Sequence, residues 1–422
     1  MVDTNVMIMF IVFSLTILFM LWRPYGINET IPTTIGAGII LLTGIVSWSD
    51  VFNIFDIVRG PALTILATIM MTIVLDSIGL FRWIAVNIVI RSKGSGVRLY
   101  LYTNLLCFLM TLLFNNDGSI LITTPIIIYI AKLLHLKPHQ SLPYLISGAI
   151  IATAASAPIA VSNISNLIAL KIVNLSLNSY VQMMFIPSMI GIFTIAILMY
   201  FYFRKNLPKK IKNVHFKFNH PLQIQYSHPL EIKNEFAKID WTLFKHCVTI
   251  VVLTRACFFL FSPLGVATEW VGLTGAFMLI GYRWIKNRTV IIDVIKGTPW
   301  HILLFAFNMY VLVYGLKNIG LTEMIHEMLQ GVVESSIFSS IFVMGFLSTA
   351  FSNLFNNLPA VMISTLSITE MDLQPLLLQA AYLANVIGSD IGALLTPIGT
   401  LATLIWMFIL KENAIKITWG NI

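Results

Sequence analysis

Four clusters of amide, hydroxyl and carboxylate side chains interrupt otherwise apolar sequence. They are Asn115-Asn116-Asp117-Gly118, Ser162-Asn163-Ile164-Ser165-Asn166, Asn356-Asn357-Leu358-Pro359, and Ser389-Asp390 continuing through Thr396-Pro397-Ile398-Gly399-Thr400. Asn, Ser and Thr both donate and accept hydrogen bonds, so such a set can hold a small hydroxylated solute. A helix broken at these points also exposes backbone. Free N–H groups at one end suit anions or neutral oxygen ligands, and free C=O groups at the other suit cations. Asp117 and Asp390 are the acids of the clusters, one in each half of the chain. A carboxylate inside a bilayer is costly and commonly marks an ion pathway or a proton relay. These two are therefore the candidate proton carriers. A plainer reading stays open for each feature: loops in which Asn caps helix ends, and acids that cap half-helix N-termini.

The elements that must position these clusters are membrane spans. Of 422 residues, 58% are apolar and 10% charged, and the mean hydropathy is +0.87. Soluble domains are about 45–50% apolar and about 25% charged. This balance excludes a soluble enzyme, a disordered chain and a collagen-like fibre. Apolar runs of about 20 residues fit spanning helices, whereas barrel strands would alternate over segments of about 10 residues. No P-loop, Walker motif or nucleophile elbow is present, so the chain is not expected to be an enzyme or to need a cofactor. A net charge of +8 reads as basic cytoplasmic loops and not as a nucleic-acid surface. Cys107, Cys247 and Cys257 form no disulfide framework or paired metal motif. His135, His139, His215, His220 and His228 read as solvated loop residues.

Long spans are expected at Met7–Trp22, Ile31–Trp48, Pro61–Leu80, Tyr180–Phe203, Trp241–Phe261, Val266–Trp284 and Pro299–Leu316. Broken pairs lie at Arg98–Phe114 with Gly118–Leu134, Leu142–Ala157 with Ile164–Leu175, Phe338–Phe355 with Pro359–Ile368, and Leu376–Gly388 with Gly399–Leu410. Residues 204–240 form the longest polar stretch, with eight basic residues against three acids, and read as a cytoplasmic linker. It divides a first repeat, 1–203, from a second, 241–422. Arg91, Lys93, Arg98, Lys132, Lys137, Arg283, Lys286 and Arg288 mark further cytoplasmic loops. Asp50, Asp56, Glu323, Glu327, Glu334, Glu370 and Asp372 mark the opposite side. The pattern closes if Arg98–Leu134 and Phe338–Ile368 are re-entrant hairpins and the other broken pairs are interrupted spans. Five crossings then precede the linker and four follow it, with the N-terminus outside. Arg255 falls within an apolar run. Two expectations are open for it: pairing with an acid, or a shifted span. No basic residue is expected beside the four clusters.

An internal repeat supports the division. Leu113-Phe114-Asn115-Asn116 recurs as Leu354-Phe355-Asn356-Asn357, and Ile78-Gly79-Leu80 as Ile319-Gly320-Leu321, both at an offset of 241. An odd number of crossings in the first half turns the second half over. The fold class expected is thus an all-α membrane protein, an inverted-repeat secondary transporter with re-entrant hairpins and broken helices.

At these motifs the chain resembles the arsenite-efflux permease family (ArsB), within a larger ion-transporter superfamily. The resemblance rests on Phe114-Asn115-Asn116-Asp117-Gly118 with Thr124-Pro125, on Ala157 through Asn163, and on Gly297 through Thr322. It continues in Asn356 through Pro359 and Ala384 through Leu404. It implies a multi-pass cell-membrane antiporter that exports arsenite or antimonite from the cytoplasm, driven by the proton gradient, with a soluble ATPase subunit docked on the cytoplasmic face in some members. Carried over by position, Asn115, Asn116, Asp117, Ser162, Asn163, Asn356, Asn357, Asp390, Thr396 and Thr400 line the pathway. Asn166 and Gly399 belong to the same clusters. The chain departs from the family pattern where Thr153 stands for an Asp and Ala393-Leu394 for Pro-Lys. A counterpart of the Tyr180–Phe203 helix would begin near Thr418, so the second half is expected to lack its final helix. Two other functions remain open on the residues alone. One is a Na⁺/H⁺ antiporter or anion carrier on the same fold; the other is a non-transporting membrane scaffold.

Overall fold

A computed structural model describes residues 4–211, 240–287, 291–396 and 399–415. Arg288, residues 212–239 of the linker, Pro397, Ile398 and the region near Thr418 lie outside the described residues. All regular structure among those described is helical. The first half runs α1 (Thr4–Trp22), α2 (Thr30–Leu42), α3 (Trp48–Ser77), α4 (Leu80–Ser92), α5 (Gly96–Leu113), α6 (Asn116–Leu133), α7 (Pro138–Ala154), α8 (Ile164–Ile172) and α9 (Leu177–Phe203). The second runs α10 (Trp241–Phe261), α11 (Thr268–Asn287), α12 (Ile292–Gly297), α13 (His301–Asn318), α14 (Leu321–Ser335), α15 (Ile337–Phe355), α16 (Asn357–Glu370), α17 (Pro375–Asp390) and α18 (Leu401–Glu412).

Local chemistry sets many of these boundaries. Ser47, Ser95, Ser176 and Ser336 each accept a backbone N–H in the first turn of the helix that follows, and Asp240 accepts two for α10. Such caps satisfy donors that a helix start leaves bare. Gly79 follows α3 with φ +83 and Gly320 follows α13 with φ +88. A left-handed residue ends a helix at little cost only when it is glycine. The repeated Ile-Gly-Leu is therefore one structural joint used twice.

Eight helical segments among the described residues are long and apolar enough to cross a membrane, including the N-terminal α1, α3, α9 and α10. The chain is a multi-pass membrane protein. The expected span Ile31–Trp48 needs correction. Its helix ends at Leu42 after 13 residues, because Gly44 turns the chain at φ +74. Continuous hydropathy through the turn had hidden the break. Three helices among those described escape an apolar-run reading altogether. α4 and α12 are short. α14 carries Glu323, His326, Glu327, Gln330 and Glu334 and buries only Thr322, Ile325 and Val333.

The halves interlock in matching pairs. α3 of the first half packs on α11 of the second, and α13 of the second packs on α2 of the first. Likewise α8 packs on α16, and α6 on α18. Close approach follows small residues at equivalent places. Thr16 fits against Gly36 and Thr254 against Gly275, where a Cβ would come within 2.2 and 2.3 Å of the threonine hydroxyl oxygen. In lipid this packing, and not water expulsion, is what draws helices together. Lipid-facing apolar residues such as Ile186, Ile190, Phe193 and Leu198 on α9 stay exposed.

Candidate functional site

All four clusters fall where helices break. α5 and α6 meet at a hairpin tip around Asn115, and α15 and α16 meet at Asn356. α7 ends at Ala154 and α8 begins at Ile164, while α17 ends at Asp390 and α18 begins at Leu401. Both tips are enclosed, with Asn115 0% and Asn356 1% exposed. Within a bilayer, irregular backbone is tolerated only where protein or a wet cavity satisfies it.

At the first tip Asn115 caps α6, its Oδ1 accepting the Gly118 N–H at 3.0 Å. Its Nδ2 is buried and takes no protein partner. Capping and solute binding are thus not alternatives here: one end of the amide holds the helix and the other end is left over. Asn116 Oδ1 accepts the Asp117 N–H at 2.8 Å. Asp117 lies in the first turn of α6, 4% exposed, and its Oδ1 has no hydrogen-bond partner. The charges of Glu29 and Asp390 both reach it.

Asp390 ends α17 and is 0% exposed. Every hydrogen-bond donor found on its carboxylate comes from the other half of the chain. Asn163 Nδ2 donates to Oδ1 at 2.9 Å, Asn166 Nδ2 to Oδ2 at 2.6 Å, and Ser156 Oγ to Oδ2 at 3.0 Å. Donors to an ionised oxygen make short, strong bonds. The sequence of the α7–α8 break explains how they are freed for this. Asn163 spends its Oδ1 on the N–H and hydroxyl of Ser165, capping α8, which turns its amide nitrogen toward Asp390. Asn166 follows within the first turn of α8. Its Oδ1 and the Ser162 hydroxyl are buried without partners.

The remaining cluster residues are not all drawn to Asp390. Thr396 Oγ1 donates to the Asn353 carbonyl at 3.3 Å, joining the α17–α18 break to the second hairpin. Thr400 caps α18 through the Thr403 N–H at 3.0 Å. Gly399 is required by contact, since a Cβ there would lie 1.9 Å from the Ala393 carbonyl oxygen. Asn356 Oδ1 accepts the Leu358 N–H at 3.4 Å, and Asn357 is buried at the start of α16.

Sequence reading missed several groups. Ser156 sits in an Ala-rich stretch and gave no polar-cluster signal. Tyr180 donates to the Ala157 carbonyl at 2.5 Å, and its ring stands 6.2 Å from that of Tyr382, whose hydroxyl is unpartnered. The charge of Asp390 reaches both tyrosines. A tyrosine eight residues before Asp390 in an apolar run was the available signal. Arg255 corrects two expectations at once. Among the described residues it pairs with no acid, and its helix is not shifted, since α10 spans 241–261 around it. Its guanidinium instead donates to the carbonyls of Leu113 and Phe114. A basic residue therefore does stand beside the first cluster. Thr153 donates to the Ala149 carbonyl at 3.0 Å.

Comparison with known proteins agrees with this architecture. The family model described as "Arsenical pump membrane protein" (ArsB) matches residues 7–422. A Bacillus subtilis protein named putative arsenical pump membrane protein is 48% identical over 416 residues, covering 97% of this chain and 93% of its own. An Escherichia coli arsenical pump membrane protein is 32% identical over 412 residues, covering 97% and 92%. One from Yersinia enterocolitica is 30% identical over 409 residues, covering 97% and 92%. A family match through nearly the whole chain, on helices that cross a membrane and break at enclosed polar turns, places this chain in the arsenical pump membrane protein family.

Proposed function

We propose that this chain exports arsenite or antimonite from the cytoplasm in exchange for protons. The solute passes through a chamber formed between two halves of opposite orientation, each contributing a re-entrant hairpin and an interrupted span. The matched cross-packing of α3 on α11 and α13 on α2 supports two equivalent halves, and an odd number of crossings in the first would invert the second. The observation that carries the reading is the Asp390 carboxylate, buried between the halves on donors from the opposite one.

The arrangement favours exchange for a simple reason. Arsenite near neutral pH is mainly an uncharged trihydroxide. Its hydroxyls can donate to an ionised Asp390, while Asn163, Asn166 and Ser156 turn from the carboxylate to the solute's oxygens. The unpartnered Asn115 Nδ2, Asp117 Oδ1, Ser162 Oγ and Asn166 Oδ1 add donors and acceptors that an oxygen-rich solute would satisfy. A proton arriving from outside removes the acceptor at Asp390 and expels the solute. Loss of that proton inside returns the carboxylate to its three protein donors, closing the empty chamber. A cytoplasmic ATPase subunit would dock on the face carrying residues 204–240.

Everted membrane vesicles test this. With an acid lumen, arsenite should accumulate inside, and a protonophore should abolish the accumulation. Arsenite entry indifferent to the pH gradient would refute the proton coupling, and no entry with the protein shown in the membrane would refute the export.

A further inference from the structure

Arg255 stands in the middle of α10 and is 8% exposed. Among the described residues no carboxylate lies within ion-pair distance of it. Backbone meets its charge instead. Nε donates to the Leu113 carbonyl and Nη2 to the Phe114 carbonyl. The guanidinium carbon lies 5.5 Å from the centre of the Phe258 ring, and Nη1 is buried without a partner. The two carbonyls belong to the last turn of α5. A helix ends there with unsatisfied C=O groups and the negative end of its dipole. In carriers with broken helices, such carbonyl ends are where coupling cations bind. Here a tethered cation already holds them.

Among the described residues the second hairpin has no such group. Thr16 against Gly36 matches Thr254 against Gly275, which aligns Arg255 of α10 with Ile17 of α1. Near that place α1 meets the second tip through an aromatic contact, Phe13 to Phe355 at 5.6 Å. Among the described residues the cation is a feature of one tip only.

We propose that Arg255 is a built-in cation that fills the carbonyl end of α5 where a sodium ion would otherwise bind, making the carrier indifferent to sodium. The inference rests on the carrier reading above and deepens it by excluding one class of coupling ion. A guanidinium keeps its charge throughout the physiological range. Being tethered, it never leaves with the solute, and it repels any second cation at the same carbonyls. Exchange is thereby confined to protons on the carboxylates.

The test uses the purified full chain in detergent. Its melting temperature is compared in sodium chloride and in choline chloride, each at about 100 mM so that screening is matched. The wild type should melt alike in both salts. R255A and R255Q should melt higher in sodium, by about 3 °C where sodium stands at roughly 100 times its dissociation constant, since the ion binds the folded state alone. R255K, which can still reach the carbonyls, should behave as the wild type. In vesicles, wild-type arsenite uptake should be equal in the two salts. R255A should lose at least about tenfold in choline, the equivalent of one lost binding contact, and recover in part with sodium or guanidinium ions. Sodium that shifts wild type and both variants equally, or shifts none of them, overturns the proposal. The melting experiment needs no solute flux. Failure there removes the role of Arg255 alone, whereas a wild type that moves no arsenite removes the carrier reading and leaves the melting result standing.

Discussion

The two hairpin tips carry the same four residues and do not share the same structure. Asn115 is extended, at φ −156 and ψ 167, whereas Asn356 sits at φ 84 and ψ 153. That second region is in practice open to glycine alone, and holding another residue there costs about 1–3 kcal/mol. The first tip has its carbonyls bound by Arg255, while Phe355 of the second packs edge-on against Phe13 at 70°. The acids differ as well. Asp117 beside the first tip keeps an unpartnered oxygen, and Asp390 of the second half is held by three donors. The same four residues thus stand in two different backbone settings. One tip has its carbonyls held by a cation. The other belongs to the half that carries the carboxylate joined across the interface.

Substitutions can break or sharpen that contrast. The largest effect is expected at Asp390. D390N replaces an acceptor with an amide that cannot satisfy three donors, and each hydrogen bond to a charged group is worth about 1.5–3 kcal/mol. Proton-driven arsenite uptake should fall by at least about 100-fold, since 1.4 kcal/mol is tenfold. N163A and N166A each remove one donor and should cost about tenfold each, read as uptake at fixed pH gradient. D117N changes a group with no protein partner on Oδ1. It should mainly raise the half-saturating arsenite concentration, by about fivefold, or roughly 1 kcal/mol; a loss as deep as that of D390N would show that the acids share one role. S156A should cost about threefold, because that hydroxyl has one proton and also lies 2.7 Å from the Thr153 carbonyl. The smallest effect is on stability. N356G should relieve the second tip and offset its lost cap, changing stability by no more than about 1 kcal/mol. N115G, with no such strain to relieve, should lower the melting temperature outright.

Much of this was legible in the residues. Polar clusters in apolar sequence located all four breaks, and the repeated LFNN and IGL marked two hairpin tips and two positive-φ glycine turns. The clustering also singled out Asn163, Asn166 and Asp390, which the fold joins. What stayed hidden has physical causes. Hydropathy averages over about 19 residues, so it reads through the Gly44 turn and past the amphipathic α14. Ser156 reaches Asp390 from an alanine-rich stretch, where one hydroxyl looks like a small packing residue. Arg255 was the least readable, because its partners are carbonyls, and every residue has one. The left-handed backbone of Asn356 left no mark either, since its sequence is the same as that of Asn115.

The claim at the centre is that a carboxylate shared between the halves trades a proton for the solute. It is tested most directly by measuring arsenite and proton fluxes together in proteoliposomes holding wild type or D390N. The account predicts that imposed arsenite gradients drive opposite proton movement in the wild type, and that D390N, folded and inserted, shows neither flux. A D390N protein that still exchanged arsenite for protons at the wild-type rate would contradict it.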